Sequence, residues 1–287
     1  MDYDFVISGL RIRLRAPFAM KLHRSLLPFL AEAASAHWDV RYTILASAQQ
    51  PLLPHDAPCV FSDGRMHVFH TEIGDIRCFP IWDSTPYSAK NPILVPDAPN
   101  DFCLYYPTER LDSLRETADF TKFLGIETVL SRFGRFLLHS SLVRYRDSAV
   151  LFSAASGVGK STQAALWERC FGAEILNGDR SIIEAGSSGF VAHGSPFSGS
   201  SQIYRQESAK IRGIVLLEQA DRNEIAPVRR ADAVRALFRE SVVALWDQSQ
   251  TAAILDALLS LTAAVPILKL RCLPNEEAAR IAKSALF

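Results

Sequence analysis

A short segment near the middle of the chain carries residue types that hold phosphate groups. In order they are Ser156, Gly157, Val158, Gly159, Lys160, Ser161 and Thr162. The glycines let backbone N–H groups converge on phosphate oxygens, the ammonium of Lys160 can meet the terminal phosphates, and the hydroxyl of Ser161 can bind Mg2+. The full phosphate-loop pattern has a glycine where this chain has Ala154. The segment therefore predicts a site for a nucleotide and Mg2+, with one departure from the pattern.

A strand and a helix must flank this segment if it is to hold phosphates. Residues 149–153 are predicted as a strand and residues 161–171 as a helix that ends at Gly172. A further strand, 174–177, leads to Asp179. Strand, helix, strand and then an acid is the order that phosphoryl-transfer chemistry requires. Asp179 is therefore predicted to bind Mg2+, directly or through water.

The region around the loop resembles the catalytic domain of HPr kinase/phosphorylase, which shares a core fold with phosphoenolpyruvate carboxykinase. The resemblance rests on residues 138–143 with His139, residues 149–152, the loop 156–161 and, more weakly, residues 211–219. It covers about residues 135 to 220. It implies an α/β fold with a P-loop kinase core, an active-site role for His139, and ATP or pyrophosphate as the phosphate donor.

The closer resemblance is to divergent bacterial HPr kinase-like proteins, which include the kinases of lasso-peptide gene clusters. They share a Gly-x-Pro-Phe-Ser-Gly-Ser signature, present here as Gly194, Ser195, Pro196, Phe197, Ser198, Gly199 and Ser200. Glycines and small hydroxyl residues permit close approach to a polyanion or to an acceptor hydroxyl, so we expect this 194–200 loop to contact the substrate. Arg205 is predicted to stabilise the transferring phosphoryl group, and Arg180 is an alternative.

Two departures from the HPr kinase pattern bear on mechanism. The family has an acidic pair where this chain has Gly178 and Asp179, so the duties of base and metal ligand do not carry over to two residues. The family's Arg-Pro-Gly-Arg-Asn segment is absent, and helical sequence from Ala231 onward replaces it. HPr itself is therefore not the expected acceptor, and either Asp179 or His139 could take the acceptor proton.

The rest of the chain predicts two domains. Residues 1–112 are predicted to form a smaller α+β domain that selects the acceptor or docks a partner. Residues 113–287 are predicted to form the kinase-like catalytic domain. Apolar spacing predicts helices at 23–34, 113–136 and 231–246, and another from about Thr251 behind Ser249 as its N-cap.

The composition of the chain argues against some classes of binding partner. Among 287 residues there are 31 Lys and Arg and 31 Asp and Glu, which argues against a nucleic-acid binder because that needs a basic surplus. No apolar run is long enough to cross a membrane, and the N-terminus lacks the pattern of an export signal. Five scattered cysteines favour reduced thiols in a cytoplasmic protein.

These observations together predict a cytoplasmic kinase that uses ATP and Mg2+. It would transfer the terminal phosphate to a hydroxyl, either of serine or threonine in a peptide or protein or of a small molecule. The alternative is a nucleotide-binding regulatory or scaffold protein with little catalysis, which the single acid and Ala154 favour. A homo-oligomer is compatible with the resemblance.

Overall fold

The structure is a computed structural model that describes residues 1–32, 37–49, 51, 53, 56–85, 87–115, 119–186, 189–197, 199 and 201–287. The chain divides into two compact units, Met1–Val129 and Leu130–Phe287. The boundary predicted at residue 112 lies before this division. Among the described residues, each unit contains an eight-stranded sheet, so the predicted mixed α/β class is confirmed at this level.

The first unit is built on a sheet with the strand order β1-β2-β3-β8-β7-β6-β5-β4. Its strands are β1 Asp2–Ile7, β2 Leu10–Arg15, β3 Val40–Ser47, β4 Cys59–Ser62, β5 His67–Thr71, β6 Gly74–Cys78, β7 Ile93–Ala98 and β8 Asp101–Pro107. Short helices follow as α1 Leu111–Arg115 and α2 Ile126–Arg132, with 3-10 turns at Leu27–Phe29, Thr108–Arg110 and Asp119–Phe123.

Two predicted helices of the N-terminal half are wrong. The described part of 23–34 contains only the 3-10 turn Leu27–Phe29, because Pro28 supplies no N–H and Leu30 is already extended. The predicted helix 113–136 is broken into short pieces. Gly125 and Gly134 adopt φ values of +57° and +69°, a left-handed conformation that ends a helix.

The second unit contains the remaining strands and helices. They are β9 Arg135–Tyr145, β10 Ser148–Ser153, α3 Lys160–Phe171, β11 Glu174–Asn177, β12 Arg180–Gly186, β13 Gly189–His193, β14 Ser208–Gln219, β15 Glu224–Pro227, α4 Arg230–Glu240, α5 Gln248–Ala264, β16 Ile267–Cys272 and α6 Glu276–Leu286. The sheet order is β10-β9-β12-β13-β14-β16-β15, with β11 paired to β9. Strand β10 also pairs with β14 in parallel, so the pairings from β10 through β9, β12, β13 and β14 form a closed ring.

The helix predicted over 231–246 ends early, at Glu240. Ser241 is extended and forms a bridge with Leu138 of β9, and Val242 N–H donates to Leu137 O at 3.0 Å. Pairing with the sheet therefore replaces the last turns of the helix. The following helix is capped by Asp247, which accepts a hydrogen bond from Gln250 N–H, rather than by the predicted Ser249.

The core of the second unit fixes β10 and α3 against one another. Val150, Leu151 and Phe152 of β10 are completely buried, and Trp167 of α3 is buried beside Phe152, with ring centroids 5.7 Å apart. Burial of such aromatic groups is a large stabilising contribution. The connection between β10 and α3 is thus held at both ends.

Two further properties concern the whole described chain. All five cysteines are free thiols. In the part of the chain that the structure describes, no helix has the length and apolar character needed to cross a membrane.

Candidate functional site

The connection between β10 and α3, residues 154–159, is the loop that the sequence assigned to phosphate binding. Gly157 has a φ of +81° and Gly159 a φ of +124°. A Cβ atom at either position would meet nothing within 4 Å, so backbone conformation, not lack of space, requires glycine there. Ser156 is exposed and Val158 half-buried, whereas Ser161 and Thr162 are exposed in the first turn of α3.

Lys160, the first residue of α3, folds back beneath this loop. Its ammonium donates to Ala154 O at 2.9 Å and to Ala155 O at 3.2 Å, and the residue is only 6% exposed. Burial lowers the pKa of Lys160, while the carboxylates of Asp179 and Glu240 act in the opposite direction. The loop therefore has a fixed cation under its backbone and two carboxylates within electrostatic reach.

Asp179 lies at the corner between β11 and β12. Its backbone is fixed there because Asn177 Oδ1 accepts hydrogen bonds from Asp179 N–H at 2.9 Å and Arg180 N–H at 2.7 Å. Ser140 N–H also donates to Asp179 O at 2.9 Å. The pKa of the Asp179 carboxyl is lowered, chiefly by the side chain of His139 and further by Arg180 and Lys160, against the opposing effect of burial.

His139 brings a second carboxylate into the same cluster. Its Nε2 lies 3.3 Å from Asp179 Oδ1, and its Nδ1 lies 3.1 Å from Glu240 Oε2. Ser153, the last residue of β10, donates its hydroxyl to His139 O at 2.9 Å. The strand that leads into the 154–159 loop is thus tied directly to the histidine.

The 194–200 loop packs against the Asp179 corner. The buried side chain of Asn177 donates to Ser195 O at 3.0 Å and Phe197 O at 3.2 Å. A Cβ atom at Gly199 would lie 3.0 Å from Asp179 Cγ, so the loop backbone approaches the carboxylate closely. Gly194 and Pro196 are buried at its base, whereas Ser198 and Ser200 lie outside the described residues.

The two candidate arginines have different surroundings. Arg180 Nε lies 3.6 Å from Asp179 Oδ2. Arg205 Nη1 instead lies 3.7 Å from Glu174 Oε2 and 3.8 Å from Glu207 Oε1, and Glu174 is at the other end of β11 from the Asp179 corner. The structure therefore groups Lys160, His139 and Asp179, and it does not bring Arg205 to them.

A cavity of about 300 Å³ lies beside the 154–159 loop. Its lining includes Gly157, Thr162, Gln163, Gln219 and Cys272. Gln163 is 2% exposed, and its Oε1 has no hydrogen-bond partner among the described residues. Gln219 donates weakly to Gly157 O at 3.4 Å. The cavity thus adjoins both the loop and an unused buried acceptor.

Two oxygen-bearing side chains of the site are of the kind that binds Mg2+. No group of three or more His, Cys, Asp and Glu side chains in the described chain is placed to hold a metal ion. Mg2+ differs from zinc in that it commonly takes one or two protein ligands and completes its shell with phosphate oxygens and water. The hydroxyl of Ser161 and the carboxylate of Asp179 are ligands of the kind that fits such an ion.

Sequence reasoning missed two residues of this cluster. Asn177, which is completely buried, positions both the Asp179 corner and the 194–200 loop, and its place directly before Gly178-Asp179 was the available signal. Glu240 carries no motif. It reaches His139 only because α4 ends where Ser241 and Val242 pair with β9.

The second unit thus defines an α/β protein with a glycine-containing loop over a buried lysine, next to a carboxylate–histidine–carboxylate cluster. The chain belongs to the family described as SynChlorMet cassette protein ScmC, whose model matches residues 121–274, more than half of its length. The match is thus to this family and not to the HPr kinase family that the sequence resemblance named.

Two other comparisons were with curated proteins and with solved structures. A comparison with curated proteins found no match. A solved structure of the HPr(Ser) kinase/phosphatase from Coxiella burnetii is similar to this chain with a TM-score of 0.30 and 10% sequence identity, over 52% of this chain and 86% of that chain.

Proposed function

We propose that this protein is a kinase that transfers the terminal phosphate of ATP to a hydroxyl group in the presence of Mg2+. The observation that carries the proposal is the buried Lys160 ammonium beneath the 154–159 loop, within electrostatic reach of Asp179. A cation fixed below a loop of glycine backbone suits a polyphosphate, and a carboxylate beside it suits Mg2+ or an acceptor proton.

Each part of MgATP, the phosphate donor, would be bound by a different feature of the site. The N–H groups of the 154–159 loop and the first turn of α3 would hold phosphate oxygens, with Lys160 neutralising their charge. Mg2+, held by Ser161 and Asp179, would neutralise further charge on the phosphates. The cavity lined by Gln163 and Gln219 would take the nucleoside, because it adjoins the loop and is lined by two side-chain amides.

The acceptor would approach between the 194–200 loop and the Asp179 corner. Its oxygen forms a bond to the terminal phosphorus, the bond from that phosphorus to the bridging oxygen of ADP breaks, and the hydroxyl proton passes to Asp179 or His139. The acceptor hydroxyl would belong to a serine or threonine of a peptide or protein, or to a small molecule. A cytoplasmic location is part of the proposal, supported by five free thiols.

A regulatory nucleotide-binding protein is the second candidate, and one observation favours it. Arg205, the side chain expected to stabilise the transferring phosphoryl group, is engaged with Glu174 and Glu207. Arginine contacts of this kind account for a large share of the rate in many phosphoryl-transfer enzymes.

A phosphate-transfer assay distinguishes the two candidate functions. Purified protein would be incubated with Mg2+ and ATP labelled in its terminal phosphate, together with a panel of peptides and metabolites. The kinase proposal predicts a labelled acceptor with the wild type, and loss of about 100-fold or more of that labelling in Asp179→Asn. Asp221→Asn, an exposed site, is the matched control and should label normally. ATP binding without any labelled acceptor would favour the regulatory candidate.

A further inference from the structure

Glu240 contributes a second carboxylate to the cluster from a distant part of the chain. Its Oε2 lies 3.1 Å from His139 Nδ1, while Nε2 of the same ring lies 3.3 Å from Asp179 Oδ1. The Glu240 side chain is 10% exposed. A carboxylate removed from water needs polar partners, and the imidazole supplies one. Its other oxygen, Oε1, lies 3.5 Å from Arg239 Nε.

The backbone fixes where this carboxylate stands. Glu240 is the last residue of α4, and the next residue, Ser241, bridges to Leu138, the neighbour of His139 in β9. The Ser241 hydroxyl donates to Leu237 O at 2.8 Å, and Val242 N–H donates to Leu137 O at 3.0 Å. The end of α4 is therefore attached to the same strand that carries His139, so the two side chains meet as neighbours across a backbone bridge.

Contacts at both ring nitrogens restrict the orientation of the imidazole. When a carboxylate holds one nitrogen of a histidine ring, the orientation of the ring is fixed, and so is the direction in which the other nitrogen points. The Glu240 contact at Nδ1 thus points Nε2 toward Asp179. The backbone of Asp179 is in turn held by Asn177 and Ser140, and its carboxylate contacts His139 and Arg180.

We propose that Glu240 is a positioning residue for phosphoryl transfer. Through His139 it holds the Asp179 carboxylate and the imidazole at the place where the acceptor hydroxyl loses its proton. This inference rests on the proposed function. It assigns to α4, a helix without any recognisable motif, a part in orienting the reacting groups.

Two substitutions at this position separate hydrogen bonding from packing. Glu240→Gln keeps an oxygen that can accept from His139 Nδ1, whereas Glu240→Ala removes it. Asp232→Ala removes an acid from the same helix, away from His139, and is the control for loss of charge on α4. All variants would be compared with the wild type by thermal unfolding before further measurement.

Two properties of each variant would be measured. The first is the nitrogen resonances of the His139 ring in 15N-labelled protein, assigned with a His139→Asn variant, which report ring contacts without any activity. The second is release of inorganic phosphate from MgATP with water as the acceptor, giving kcat and KM. We expect Glu240→Ala to shift the His139 resonances and to lower kcat about 10- to 100-fold, with KM for MgATP within about twofold. Glu240→Gln and Asp232→Ala should stay close to the wild type in both readouts.

Wild-type His139 resonances in Glu240→Ala would overturn the inference, and so would a wild-type kcat. If the wild type neither binds nor hydrolyses MgATP, the proposed function fails. The His139 resonances then still decide whether Glu240 holds the ring, so the two failures are distinguishable.

Discussion

The side chain of Ser201 occupies the space that a side chain at Gly178 would need. A Cβ atom at Gly178 would lie 1.9 Å from Ser201 Oγ and 2.4 Å from Ser201 Cβ, both far inside contact distance. Gly178 directly precedes Asp179, and Ser201 directly follows the 194–200 loop. The candidate metal ligand and the candidate substrate loop are therefore packed together with no room for an added methyl group.

We expect Gly178→Ala to displace the 194–200 loop. The overlap reaches the Cβ of Ser201, so a side-chain rotation does not relieve it, and the free energy of unfolding should fall by about 1–3 kcal/mol. Transfer should fall as well, because the loop and Asp179 move apart. The double variant Gly178→Ala/Ser201→Gly removes the overlapping atoms and should recover most of the stability in urea unfolding. Failure of that rescue would contradict the packing described.

Asn177 should be more sensitive to substitution than its position at the end of β11 suggests. Asn177→Ala removes the acceptor of the Asp179 and Arg180 N–H groups and the amide donor to the carbonyls of Ser195 and Phe197. Phe197 O keeps the Ser195 hydroxyl as a donor. We expect it to cost about 1–3 kcal/mol in urea unfolding. Asn177→Asp keeps the acceptor but turns a carboxylate oxygen toward two carbonyl oxygens, so it should cost more at pH 8 than Asn177→Ala does. Equal stability of the aspartate variant and the wild type would refute this arrangement.

His193 should make the protein less stable in mild acid. Burial lowers the pKa of His193 below its usual 6.5, despite the opposing effect of Glu184, whose Oε2 lies 2.7 Å from Nε2. Because the unfolded chain then binds the proton more readily, stability is complete above about pH 6.5 and is lost as the pH falls toward the lowered pKa. The difference in unfolding free energy between pH 7.5 and pH 5.5 should be larger for the wild type than for His193→Gln. His37→Gln, at a side chain 84% exposed, serves as the control.

Arg205 is the residue for which the sequence and the structure give different expectations. Its guanidinium is 47% exposed and paired with Glu174 and Glu207, so Arg205→Ala should cost less than about 1 kcal/mol of stability. We expect transfer to change much less than tenfold. A loss of about a thousandfold would instead show that the side chain leaves these glutamates and stabilises the transferring phosphate. Steady-state transfer by this variant decides between the two.

The sequence predicted the elements of the site where local signals are strong. The strand before the loop, helix α3 and its end at Gly172, whose φ is +66°, were all expected from apolar spacing and glycine. Asn275 is likewise a residue type that favours the N-cap position, and its side chain accepts from Ala278 N–H at 3.1 Å at the start of α6. Local chemistry determines these features, so a single sequence is enough to place them.

Features that depend on distant pairing could not be predicted. The spacing of apolar residues in 231–246 continues past Glu240, but Ser241 and Val242 pair with β9 instead of extending the helix. The contact between Glu240 and His139 follows from that pairing, and the sequence holds no local signal for it. The engagement of Arg205 with Glu174 likewise depends on how β11 meets the segment before β14.

The affinity for MgATP shows whether Lys160 and the 154–159 loop hold a polyphosphate. Isothermal titration would compare the wild type with Lys160→Met, and with Lys210→Met, which removes an exposed positive charge elsewhere in the same unit. Loss of a charge-assisted hydrogen bond of about 1.5–3 kcal/mol predicts binding that is about 10- to 100-fold weaker in Lys160→Met. The Lys210 variant should bind like the wild type. Equal affinity of the wild type and Lys160→Met would contradict the proposed function, because the buried lysine beneath the loop would then have no part in holding phosphate.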